Sequence, residues 1–148
     1  MKTIFDQITK DELMARIHSL DEHSKAQWGK MNVYQMVKHG RLWEEMMQSK
    51  VNLKRAFIGR LFGRLALRVV LGNENPLKQN TPTIPSLMIE ETGGNFEAEK
   101  ALWIAAIEKY STFNNHNFQH VFFGKLTKEQ IGQMVYKHID HHLRQFNS

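Results

Sequence analysis

Three times in this chain, an Asn or Thr able to accept from a free backbone amide is followed three positions later by Glu or Gln: Thr9 with Glu12, Asn32 with Gln35, and Thr127 with Gln130. Such a reciprocal pair satisfies two of the donors left open in the first turn of a helix, so each pair marks a helix start. The spacing predicts helices over residues 9 to about 20, 32 to about 49 and 127 to about 146. A further helix is expected over 96–113, behind Gly93, Gly94 and Asn95, with Glu97 and Glu99 at its positive end and Lys109 at its negative end. Residues 53–71 also carry helical patterning, weakened by Gly59 and Gly63. Pro76, Pro82 and Pro85 mark an irregular connection over 72–94 that joins helices rather than separating domains. With no alternating strand pattern, the expected class is all-α.

At 148 residues and 41% hydrophobic content, the chain has the size of one globular domain, 1–148, with a substantial core. It has no cysteine, which excludes disulfides, thiolate ligands and a cysteine nucleophile, so any metal chemistry must use His, Asp or Glu. That composition fits a reducing cytoplasm. The first nine residues lack the apolar run of a secretory signal, and no later segment approaches the roughly 20 apolar residues that span a bilayer. A formal charge of +5 bears on solubility and steering without naming a partner.

Chemistry concentrates in the last helix. At about 100° per residue, Ile131, Met134, Val135, Ile139 and Phe146 form one buried stripe, with His138 and His142 near its middle. Two imidazoles one turn apart on an apolar face can hold one ion from the same side. As ordinary core histidines they would need two separate buried partners. A third ligand should come from another helix, and His39 is the natural candidate because it lies in the row Met36, His39, Trp43, Met46; its alternative is a boundary histidine reaching water. His18 and His23 sit on or beyond a surface-like helix, His141 at the edge of the stripe, and His116 and His120 in an Asn-rich loop at the surface or site rim. Asp140 and Tyr136 flank the pair, where they could orient ligands or bind substrate, but both point off the centre of the stripe and solvated surface roles are the simpler expectation. Glu44 and Glu45, about one turn beyond His39, could reach the pocket rim, though exposed glutamates usually just solvate their helix, so the general base is unassigned.

The run Tyr136-Lys137-His138-Ile139-Asp140-His141-His142-Leu143-Arg144-Gln145-Phe146, preceded by Phe122-Phe123-Gly124-Lys125-Leu126-Thr127, resembles an uncharacterised branch of the DinB/YfiT-like superfamily. So do Trp28-Gly29-Lys30-Met31-Asn32-Val33 leading to His39, and Asn80-Thr81-Pro82-Thr83-Ile84-Pro85-Ser86-Leu87. The resemblance implies a four-helix bundle with a long crossover connection. It also implies one divalent metal ion, nickel or zinc, in a three-histidine site with one ligand on the second helix and an HxxxH pair on the last. Carried onto this sequence, the ligands are His39, His138 and His142. Some relatives join small thiols to electrophiles and others resemble hydrolases. The chain departs from that pattern at Val121, where proline is expected, and in the long basic segment 51–71.

That segment holds the remaining signal. Residues 50–68 contain six basic and no acidic residues, and Arg60, Arg64 and Arg68 recur every four positions. An amphipathic basic helix can lie on an anionic membrane or dock an acidic partner, but an additional bundle helix with a solvated arginine face is the simpler expectation, so a membrane is not the expected partner. No nucleic-acid-binding signature accompanies the charge, and none is expected as a ligand. The expected function is a metal-dependent enzyme acting on a small-molecule substrate, of hydrolase or small-thiol transferase type. The alternative is a non-catalytic, metal-stabilised binding or interaction module, dimeric or associating with anionic partners or a membrane through the basic helix 50–71.

Overall fold

The computed structural model describes residues 1–49, 55–115 and 118–148. Its helices and strands run α1 (Gln7–Ser19), α2 (Val33–Gln48), α3 (Phe57–Val70), α4 (Phe96–Glu108), β1 (Gln119–His120), β2 (Gly124–Lys125) and α5 (Lys128–Gln145), with 3-10 turns at Pro85–Leu87 and Lys109–Thr112. The described residues are therefore mostly helical, and a small antiparallel sheet among them, pairing Gln119 with Lys125 and His120 with Gly124, is an element the sequence pattern did not indicate.

Two of the three capping pairs form as expected. Asn32 accepts from the Gln35 amide while the Gln35 side chain accepts from the Asn32 amide, at 2.8 and 3.0 Å. Thr127 and Gln130 repeat the exchange at the start of α5. The third does not form: the Asp6 carboxylate accepts from the Thr9 amide at 2.8 Å, so α1 begins at Gln7 and Glu12 instead pairs with Lys2. At α4, Asn95 caps the Ala98 amide, and the helix ends at Glu108, tightening into the 3-10 turn before Phe113. The expected start of the basic helix falls partly on residues 50–54, outside the described residues, and Arg55 and Ala56 precede the first helical turn.

Helix α2 packs on α4 and α5, and α1 packs on the same two helices. Leu13 and Ile17 of α1, Met36 and Met47 of α2, Trp103 and Ile107 of α4, and Val135, Ile139 and Leu143 of α5 meet in the core with essentially no exposure. Burial of each large apolar side chain contributes about 1.5–3 kcal/mol before the cost of ordering it. Gly40 is part of this packing, since a Cβ there would stand 2.6 Å from the Trp103 ring.

The connection from α3 to α4 is strapped along α2. Asn32 Nδ2 donates to the Thr92 carbonyl, Gln35 Nε2 to that of Ile89, and Lys38 pairs with Glu91. This strap brings the Leu87 carbonyl against α2. At the other end, Arg16 of α1 donates to Asp140 Oδ1 at 2.7 Å and to the Ser148 carbonyl, while Arg144 donates to Asp140 Oδ2. Asp140 is thus a buried anchor between α1 and α5 rather than a solvated residue. Tyr136 is partly buried.

Helix α3 is arranged differently from the expected bundle helix. Its inward positions are Gly59, Gly63 and Leu67, and a Cβ on Gly59 or Gly63 would stand 2.5 or 2.2 Å from the Phe122 carbonyl oxygen. The glycines let the helix backbone lie directly on the β1–β2 turn. Its other end is tied by Lys137, whose Nζ donates to the carbonyls of Val70 and Asn75.

Candidate metal centre

Helix α2 delivers His39 and α5 delivers His138 and His142 to one place. One nitrogen from each ring lies within 4.8 Å of the others, and the ring centroids are 4.6–5.3 Å apart. His39 and His142 are buried; His138 is partly buried, with its Nδ1 shielded. The convergence follows from local rules. On α5, four residues advance one turn and return to nearly the same face, and the capped start of α2 sets the register that turns His39 inward.

Hydrogen bonds outside the cluster set which nitrogens face inward. His39 Nδ1 lies 2.9 Å from the Leu87 carbonyl, which can only accept, so Nδ1 carries the proton and Nε2 keeps its lone pair. His142 Nδ1 lies 3.0 Å from Gln145 Oε1, and Gln145 Nε2 donates to the Trp28 carbonyl at 2.8 Å. The Trp28 carbonyl fixes the amide orientation, the amide oxygen takes the Nδ1 proton, and His142 Nε2 is left as a donor atom for a ligand. Histidine ligands to metals are held in this way by outer carbonyls and carboxylates.

His138 completes the set. Its ring stacks on Trp43 at 4.0 Å with planes 12° apart, and its Nε2 lies 3.2 Å from His39 Nε2. Its Nδ1 has no partner among the described residues. Either tautomer therefore leaves a need unmet. With the proton on Nε2 it reaches His39 but Nδ1 is a buried acceptor with no donor; with the proton on Nδ1, two Nε2 lone pairs face each other.

Electrostatics keep all three rings neutral. Burial lowers the basicity of His39, and burial with the nearby His39 ring pushes His142 down to about 3. Burial, then the imidazoles of His142 and His39, hold His138 well below the ordinary histidine range. Three neutral nitrogen donors in a dry site suit a borderline divalent cation such as zinc or nickel. The spacing also fits: two nitrogens bound at about 2.0–2.1 Å to one tetrahedral ion lie ~3.3 Å apart, close to the 3.2 Å seen between His39 and His138.

The other candidates lie apart. His18 and His23 are exposed, and His116 lies outside the described residues. His141 is half-buried, with its ring 5.9 Å from that of Trp28. His120 is buried rather than at the surface: its Nδ1 accepts from the Phe122 and Phe123 amides and so holds the β1–β2 turn, and burial pushes it down to about 4. Glu45 is exposed and pairs with Arg41. Glu44, expected at the surface, is fully buried; its Oε2 accepts from Tyr110 at 2.6 Å, its Oε1 has no partner among the described residues, and burial raises it to about 8. Sequence reasoning missed Leu87 and Gln145 as orienting groups. Gln145 had a signal, since it stands three residues after His142 on one helix.

Among protein-family models, that of a protein of unknown function (DUF1569) matches residues 5–148. No curated protein and no solved structure matches the chain.

Proposed function

The chain belongs to the DUF1569 family, and from that premise and the geometry of its three histidines we propose that it is a divalent-metal protein, and that the metal serves catalysis. His39, His138 and His142 are the ligands, zinc or nickel the ion, and the scaffold is a DinB/YfiT-like four-helix bundle of α1, α2, α4 and α5. The packing of those helices on one another and the long strap between α3 and α4 support that scaffold. The observation that carries the reading is the division of labour within each ring: the outer nitrogens of His39 and His142 are already engaged by Leu87 and Gln145, while inner nitrogens converge.

Three protein ligands leave further positions for substrate, the feature that separates a catalytic from a closed structural metal site. When bound, the ion supplies Lewis acidity, acidifying water or a thiol and polarising an electrophile, which suits a hydrolase or a small-thiol transferase. The protein's own part is orientation and exclusion of water. Leu87 and Gln145 orient two of the rings, Trp43 covers one face of His138, and the surrounding core favours the neutral form of the rings.

Metal analysis of untagged protein tests the ligands: near-stoichiometric metal is expected in the wild type and a small fraction of it in His142→Ala. Equal, near-stoichiometric metal in both would remove His142 from the site. Turnover on ester substrates and on thiol–electrophile pairs tests the catalytic half. Activity retained by a folded His138→Ala variant would leave the ion a structural role only.

A further inference from the structure

Helix α3 presents its apolar side outward. At about 100° per residue, Phe57, Leu61, Leu65, Ile58, Val69 and Phe62 fill an arc of roughly 140°, and each is between 56% and 74% exposed. The inward arc is taken by Gly59, Gly63 and Leu67, which seat the helix on the β1–β2 turn. Along one flank of the outward arc run Arg60, Arg64 and Arg68, all exposed. Arg64 donates to the Lys125 carbonyl, whereas Arg60 and Arg68 have no partner among the described residues. A soluble surface seldom leaves so much contiguous apolar area open without a use for it.

A second observation lies beside this face. Arg64 and Arg68 overhang a cleft between α3 and α5 whose floor includes Leu67 and Leu71 and whose far side carries Gln130 and Gln133. Two guanidinium groups and two amides around an apolar floor suit a phosphate attached to a hydrocarbon body. The sequence supports the same polarity, because no acidic residue occurs between Glu45 and Glu74 while six basic ones do.

We infer that α3 is a docking surface for an anionic phospholipid membrane, lying parallel to the bilayer with its outward arc among the acyl chains and a lipid phosphate in the Arg64–Arg68 cleft. The chemistry on the face selects this occupant. Among the described residues the outward arc carries no polar side chain except Arg68 at its edge, with Arg60 and Arg64 beside it and no acidic group on the helix, which is the pattern of a helix at a lipid interface. A second copy is poorly matched, since a two-fold interface would set α3 against itself and α3 carries no acidic residue to compensate its arginines. Among the described residues no helix is long and apolar enough to cross a membrane, so the contact is at the surface. The inference is independent of the histidine site.

Flotation with phosphatidylglycerol-containing vesicles, against vesicles of neutral phosphatidylcholine, tests it. The full-length protein is expected to float with the anionic vesicles, less so at high salt. Leu61→Gln/Leu65→Gln should lower that partition by at least about tenfold, and Arg64→Gln/Arg68→Gln by about fivefold per arginine, with metal content unchanged. Should the leucine variant fail to fold, Phe57→Ser at the exposed start of the helix probes the same arc. Four outcomes would overturn the inference: no flotation, equal flotation with neutral vesicles, saturation by inorganic phosphate without vesicle binding, or a dimer that Leu61→Gln/Leu65→Gln dissociates in a protein that does not bind vesicles.

Discussion

Gln145 stands one turn beyond His142 on α5, and its amide oxygen lies 3.0 Å from the His142 Nδ1 while its nitrogen is tied to the Trp28 carbonyl. The pair converts a loop carbonyl 117 residues away in sequence into the group that decides which nitrogen of His142 faces the cluster. Gln145→Leu keeps comparable bulk and removes that control. Loss of such an outer partner costs about 10–100-fold in metal affinity, which a chelator competition with zinc would read. An unchanged dissociation constant would mean that the ring is oriented by packing alone.

Glu44 ties stability to pH. Its carboxyl is raised from the model-compound value of 4.5 to about 8 by burial, the Tyr110 hydroxyl opposing the shift. In the folded protein it holds its proton through neutral pH, whereas the unfolded chain has released it above about 4.5. The unfolded state then binds fewer protons, so this group makes stability fall as pH rises from about 4.5 toward 8, and level off above. Glu44→Gln keeps an acceptor for Tyr110 and removes the ionisation. Its melting temperature should exceed that of the wild type more at pH 8 than at pH 5, by an amount equivalent to about 1–3 kcal/mol. Parallel pH profiles for the two proteins would show that Glu44 ionises freely.

Gly63 is where the seat of α3 is tightest. A methyl group there meets the Phe122 carbonyl oxygen at 2.2 Å, and backbone cannot step aside as a flexible side chain would. Gly63→Ala raises helix propensity, which by itself would stabilise by roughly 1 kcal/mol, so the sign of the change discriminates. The close approach wins, and destabilisation of about 1–3 kcal/mol is expected, with faster amide exchange confined to α3 and the β1–β2 turn. Stabilisation by Gly63→Ala would show that α3 does not rest on that turn.

Asp140 gives a test of the α1–α5 junction. It accepts from Arg16 and Arg144 with its side chain only 7% exposed, while the two arginines keep contact with water. Asp140→Asn leaves the geometry nearly intact but removes the charge, and a loss of about 1–3 kcal/mol in chemical denaturation is expected. A change within experimental scatter would reduce this network to a solvated surface cluster.

What the sequence made legible was what is local. Asn32 with Gln35 and Thr127 with Gln130 fix helix starts within four residues, and those starts set the register that turns His39, His138 and His142 toward one another. At the start of α1, two acceptors compete one turn apart, and Asp6 takes the Thr9 amide, an outcome that residue type alone does not decide. Leu87 is a backbone acceptor 48 residues from His39 in an irregular strap, so no side-chain pattern announces it. Glu44 looked like an ordinary helix carboxylate because its partner, Tyr110, is 66 residues away. The orientation of α3 was hidden for a different reason. Apolar periodicity locates a hydrophobic face but not what covers it, and here the buried side is built on glycines, which carry no hydrophobic signal.

The histidine cluster makes a last prediction about the ion itself. A metal that binds only the folded protein stabilises it by about 2.7 kcal/mol when free metal is 100 times the dissociation constant. Zinc or nickel added to metal-free protein should therefore raise the melting temperature in a concentration-dependent way, and a chelator should reverse the rise. His39→Ala removes the proposed ligand on α2, leaving the α5 pair alone, so the same titration should give a much smaller shift. Without metal the variant should also lose stability, because a buried side chain is truncated and the Leu87 carbonyl and His138 Nε2 lose the partner His39 gave them. Two separable effects are thus expected from one substitution, a fixed loss of stability without metal and, on top of it, a much smaller rise on adding metal. An equal metal-induced shift in wild type and His39→Ala would separate α2 from the metal centre.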